Sequence, residues 1–235
     1  MSVHSKGWRP LLAGICLTVG GCMSQAMRPH LAAGPRPIVV VAPGMPSTPV
    51  LYDANPMNFV PLVNMVYSEV TQASLGDQLQ GHPPPLSKTC SEALINSLKA
   101  RGLVATPANA EHPTNLGVPQ LLSKDQVASI YGNDTVVDWI IQRYGFSVAS
   151  SGDLQVTMQA SFSVTDGAGR EIYFRRIHYR PPLLGANPGD LTLEVLPTLP
   201  TWRDAAELKS RLDEANKALA TVCREMVSVV AAEIS

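Results

Sequence analysis

Leu154-Gln155-Val156-Thr157-Met158-Gln159-Ala160-Ser161-Phe162-Ser163-Val164-Thr165 is the stretch that decides the fold. Apolar residues stand at every even position and polar residues at every odd one. A period of two sends successive side chains to opposite faces, so this is a strand with one face on a core and one face polar. Asp166-Gly167-Ala168-Gly169 reads as a turn, and Arg170 to Tyr179 returns as the hairpin partner until Pro181-Pro182 ends it.

Toward the C-terminus, a Pro/Gly/Leu loop runs to Pro200. Thr201-x-x-Asp204 then caps a helix expected to reach about Ala232. Its stripe is Leu208, Leu212, Ala215, Leu219, Val222, Met226 and Val229. Three heptads are the lower limit for a coiled coil, so the stripe is read as packing across the sheet.

Toward the N-terminus, a strand is expected from Thr135 to Tyr144. Ser123-x-x-Gln126 caps a short helix through Val127 and Ile130, stopped by Gly132. Thr89-x-x-Glu92 reads as a capping box, with Cys90, Ala93, Leu94 and Leu98 as the stripe and Gly102 as the stop. Leu103-Val104-Ala105 is a short strand candidate, and Ile38-Val39-Val40-Val41-Ala42 has the character of a buried strand. Between these, residues 43–85 hold a proline-dotted loop to Pro56. Phe59, Leu62, Val63, Val66 and Val70 then fit a helix face, with strand left open as the alternative, before a stiff break at Gly81–Pro85. The order implies an α+β two-layer domain: a mostly antiparallel sheet with helices packed on one face and a long C-terminal helix.

The first 22 residues follow a different grammar. Lys6 and Arg9 precede an apolar stretch from Leu11 to Val19, which closes as Val19-Gly20-Gly21-Cys22. A basic start, a short apolar region and small residues at a cut site mark an export signal. The apolar run falls well short of the roughly 20 residues that span a bilayer. With the cysteine after the small pair, the segment resembles the lipobox of bacterial lipoproteins. That resemblance implies a signal over 1–21, acyl chains attached at Cys22, a tether over 22–36 and one periplasmic domain over 37–235. It also implies a bacterial outer-membrane location facing the periplasm, because Met23 is not the aspartate associated with inner-membrane retention. The pattern of Ile38 to Ala42, the helix from Ser91 to Gly102 with Leu103-Val104, and the Leu154–Tyr179 hairpin loosely resembles a further group. These are periplasmic lipoproteins with the fold of the curli-secretion lipoprotein and of the amino-terminal domain of the Tol-Pal translocation protein.

Composition narrows the partners. The 235-residue chain has a formal net charge of −1, which becomes more negative once Lys6 and Arg9 leave with the signal. A mildly acidic domain argues against nucleic acid, which favours a basic face. Charged residues make up only 16%, beside 20 prolines, so long structured loops or surfaces covered by a protein partner are expected. Cys90 and Cys223 sit on apolar helix faces in an oxidising compartment; they are either a disulfide joining two helices or two buried thiols.

Chemistry is sparse. No G-x-S-x-G, H-E-x-x-H, phosphate-binding loop or dinucleotide fingerprint occurs. No catalytic residue, metal site or cofactor is assigned. His82 and His112 precede prolines and read as exposed loop residues; Asp134 and Asp138 read as a helix stop and a solvated strand start. One basic cluster stands out: Arg175, Arg176, His178 and Arg180, with Arg176, His178 and Arg180 on one strand face. It reads as an anion-binding surface or as charge that protects a sheet edge. The resulting expectation is a non-catalytic lipoprotein, anchored to the outer membrane, that serves as an accessory or assembly component of an envelope transport or secretion system. The alternatives are binding of an anionic envelope lipid or glycan by the arginine hairpin, and a cryptic envelope hydrolase. Oligomeric state is left open.

Overall fold

The computed structural model describes residues 37–52, 77–78, 85–149, 151–179, 189–193, 196 and 198–235. The expectations for Cys22, the tether, the Phe59–Val70 face, His82 and Arg180 lie outside these residues.

The chain forms an α+β domain around a mixed, mostly antiparallel sheet. Its strands are β1 (Ile38–Val41), β2 (Val50–Tyr52), β3 (Ala105–Ala108), β6 (Val136–Val148), β7 (Leu154–Thr165), β8 (Glu171–Tyr179) and β9 (Leu191–Leu193); β4 (Thr114–Asn115) and β5 (Val118–Pro119) form a separate small hairpin. The order is β3-β1-β6-β7-β8-β9. The three long central strands pair antiparallel, and short parallel strands flank them. Residues 38–52 track one edge of β6. β1 pairs beside Val136, Gly44 bridges Ile140, and β2 pairs beside Gly145. Gly145 has φ +145°, and a side chain there would overlap the backbone of Val50, so only glycine admits this close approach.

The alternation of β7 is realised. Leu154, Val156, Met158, Ala160, Phe162 and Val164 are all buried against the helix layer. The polar face is not simply solvated, however. Ser161 and Ser163 are buried too, because longer neighbours fold over them: Ser161 donates to Gln142 (3.1 Å) and Ser163 to Glu171 (3.1 Å).

β6 runs past its expected end at Tyr144, to Val148. The cause is a bulge at Gln142, where the register with β7 shifts between Ile141 and Arg143. Before the bulge the core-facing residues are odd (Val137, Trp139, Ile141); after it they are even (Tyr144, Phe146). One extra residue therefore keeps both halves on the same core. Trp139 stacks on Phe162 at 5.0 Å, and Phe146 meets Trp202 edge-on at 5.2 Å.

Two long helices cover this face: α1 (Leu86–Lys99) and α4 (Leu212–Ile234), the latter preceded by a short α3 (Ala205–Ser210). Asp204 caps α3 by accepting from the Glu207 amide at 2.8 Å, but the backbone breaks at Arg211 (φ −125°) before α4 begins. The single expected terminal helix is thus two segments sharing one buried stripe. The Thr89–Glu92 capping box is not formed. α1 starts four residues earlier, behind Pro85, and Thr89 donates its hydroxyl to the Pro85 carbonyl at 3.3 Å. Leu86, partly buried against the core, extends the apolar stripe by one turn. By contrast, the Ser123–Gln126 box at the head of α2 (Lys124–Tyr131) closes both ways. This short helix packs on the opposite sheet face, where Val39, Val41, Leu122, Val127 and Val136 make a second small core.

Cys90 and Cys223 form a disulfide with a Cα–Cα distance of 5.8 Å, inside the usual range for such bridges. Leu86 and Leu219, each one turn before its cysteine, line the same groove, so α1 and α4 run side by side in the same direction.

Candidate functional site

The basic cluster of β8 does not assemble as one surface. Alternation sends Arg175 to the helix side, where its guanidinium grips Glu233 of α4 through Nη2 (2.9 Å) and Nε (3.1 Å). Tyr173 donates its hydroxyl to the same carboxylate at 2.7 Å. Burial pushes the Tyr173 phenol well above its ordinary range, and the Glu233 carboxylate adds to the effect. The hydrogen bonds that Arg175 donates to Glu233 in turn hold its guanidinium even more firmly charged. This is a clamp between sheet and helix, with planar bidentate geometry that lysine would not reproduce.

Arg176 and His178 face the other side, next to β9. His178, buried, bonds Asp190 through Nε2 at 2.9 Å, and Arg176 lies 3.7 Å from the same carboxylate oxygen. Arg176 Nε is buried with no hydrogen-bond partner. One aspartate thus faces both side chains, a signal that the sequence did not offer because Asp190 lies in a Pro/Gly loop outside every periodic segment.

Two sequence expectations are overturned on the opposite sheet face. His112 is not an exposed loop residue and Asp138 is not solvated: each side chain is only 4% exposed, and they bond at 2.8 Å. The second Asp138 oxygen accepts the Leu122 amide at 2.7 Å. Gly44 permits this pair, since a side chain on it would come within 2.8 Å of the His112 ring. Asp138 thereby ties the segment after β5 to the sheet. Burial, with a smaller push from Asp138, raises the phenol of nearby Tyr131. Neither imidazole hydrogen-bonds a serine, threonine or cysteine side chain among the described residues. Nor do three or more His, Cys, Asp or Glu side chains converge there as a metal site would require.

The remaining unusual feature is the tip of the β4–β5 hairpin. Leu116 (φ +50°) and Gly117 (φ +75°) form a tight two-residue turn with both φ values positive. Glycine suits that conformation; leucine does not. Leu116 is also 97% exposed, beside other exposed apolar residues elsewhere, Val104, Ile130 and Phe174.

No protein-family model and no curated protein matches this chain. Solved structures with a related course include PelC, crystallised as a dodecamer, from Paraburkholderia phytofirmans. It shows 11% identity over 88% of this chain and 93% of its own, with a TM-score of 0.37. A DUF330 protein from Xanthomonas campestris shows 11% identity over 87% and 90%, with a TM-score of 0.39. Lipoprotein GNA1162 from Neisseria meningitidis shows 16% identity over 66% and 89%, with a TM-score of 0.23. Superpositions this loose transfer no residue role to this chain.

Proposed function

We propose that this chain is a non-catalytic lipoprotein of the bacterial outer membrane, held through acyl chains on Cys22, that docks onto a protein of an envelope transport or secretion system. The observation that carries this reading is Leu116. A leucine in the left-handed region costs about 1–2 kcal/mol relative to a relaxed backbone. Its side chain contributes nothing to the core, being 97% exposed. An apolar side chain held out at a strained hairpin tip suits insertion into an apolar pocket of a partner. The motif at Val19–Cys22 supplies the anchoring half of the proposal.

The anionic-ligand reading of the hairpin has less support. Arg175 is committed to Glu233, and Asp190 balances Arg176 and His178. For the hydrolase reading, neither His112 nor His178 hydrogen-bonds a serine, threonine or cysteine side chain among the described residues.

The test is cross-linking in intact envelopes, comparing wild type, Cys22→Ser and Leu116→Asp. A defined protein set captured by wild type and lost in both variants is the expected result. Capture that is unchanged by Leu116→Asp would remove the docking role of the hairpin; fractionation of Cys22→Ser with the membrane would remove the anchor.

A further inference from the structure

One buried carboxylate holds both feet of the hairpin that carries Leu116. His112, two residues before β4, reaches Asp138 Oδ1 through Nε2 at 2.8 Å. Leu122, three residues beyond β5, donates its amide to Asp138 Oδ2 at 2.7 Å. We propose, resting on the docking reading of Leu116, that Asp138 and His112 are positioning residues which fix the direction in which this hairpin is presented to its partner.

The hairpin supplies little of its own order. An isolated two-stranded ribbon is marginally stable in water. At its base the Gln120 amide bonds the Pro113 carbonyl at 2.7 Å, but Pro113 has no N–H with which to return a bond. The turn works against the ladder as well, since Leu116 sits at φ +50°. Thr114, Asn115, Leu116 and Gly117 are all exposed, so burial does not order the tip.

The feet are placed to supply what is missing. Asp138 stands in β6, between β1 and β7, on the most extensively paired strand of the sheet. Separate oxygens of its side chain receive the two feet, which fixes orientation as well as place. The His112–Asp138 bond is shut off from water, where competition would weaken it. Gly44 adds a third support. A Cβ there would meet the His112 ring at 2.8 Å and the Pro119 side chain at 2.9 Å, so the chain leaving β1 rests against both sides of the hairpin base. Beyond Leu122, Ser123 enters the capping box that starts α2. A knob already held in one direction loses less freedom on docking than one on a loose loop, which is the gain from pre-organisation.

The test uses the full chain in intact envelopes, with photoreactive benzoylphenylalanine in place of Asn115, and hydrogen exchange of the same chain purified in detergent. His112→Ala is expected to speed exchange of the Gln120 amide about tenfold relative to β7 amides. Cross-linking per folded molecule should fall about tenfold with it. His112→Gln, which keeps a donor for Asp138, should preserve both. Gly44→Ala should act like His112→Ala by pushing on the hairpin base. Gly145→Ala, which collides instead with Val50, should leave the hairpin and its cross-linking unchanged. A Gln120 amide unmoved by His112→Ala, a loosened hairpin with full cross-linking, or equal loss of cross-linking in Gly145→Ala would overturn the positioning role alone. Cross-linking that survives Leu116→Asp would overturn the docking reading, and this proposal with it.

Discussion

Cys90 of α1 and Cys223 of α4 join two helices that run in the same direction, closing a loop of 133 residues that contains the whole central hairpin. In the chain-entropy view, a cross-link over so long a loop restricts the unfolded ensemble strongly. Replacing both cysteines by alanine is expected to lower stability by about 2–5 kcal/mol, read as a drop in urea midpoint. The same loss should follow reduction of the wild type, and reduction should leave the double variant unmoved.

Asp138 accepts from both His112 and the Leu122 amide in a site closed to solvent. Asp138→Ala strips the partner from two buried groups and is expected to cost about 3 kcal/mol. A double-mutant cycle with His112→Ala should return a coupling of about 1–3 kcal/mol. Coupling near zero would mean that the pair is incidental.

Gly145 lets β2 lie against β6. Gly145→Ala forces a side chain into the Val50 backbone at a φ that alanine resists, and a loss of about 1–3 kcal/mol is expected. Faster amide exchange at Val50–Tyr52 than at β7 would locate the damage.

Burial pushes the Tyr144 phenol from its ordinary 10.0 up to about 12. An acid whose folded value is raised contributes stability that is complete below the unfolded value and fades as pH climbs through the folded one. Wild type should therefore lose stability relative to Tyr144→Phe between about pH 10 and 12. Parallel urea midpoints across that range would contradict the burial of the phenol.

Leu116 offers a separation of stability from function. Leu116→Asn relieves the left-handed strain and should raise stability by up to about 1 kcal/mol. Under the docking proposal, it should also diminish partner capture. A variant that is both more stable and fully competent in cross-linking would show that the knob is dispensable.

What the sequence determined by itself is local and periodic. The even-position apolar residues from Leu154 to Val164 set a strand and its core face, Asp166 to Gly169 set the return, and the stripe from Leu208 to Met226 set the terminal helical layer. Ser123 and Gln126 fixed a helix start, because both partners of a capping box lie within one turn. Other features depend on which segments meet, and no local period encodes that. The bulge at Gln142 breaks the parity of β6, and the end at Val148, beyond the expected Tyr144, is set only by pairing with β7. Asp138 and His112, 26 residues apart, become a buried pair only once the chain between β3 and β4 folds back on the sheet. Likewise Arg175 and Arg176 are neighbours in sequence, yet the pleat sends one to Glu233 in the helix layer and the other toward Asp190. Strand alternation predicts that they part; only the packed layers decide what each one finds.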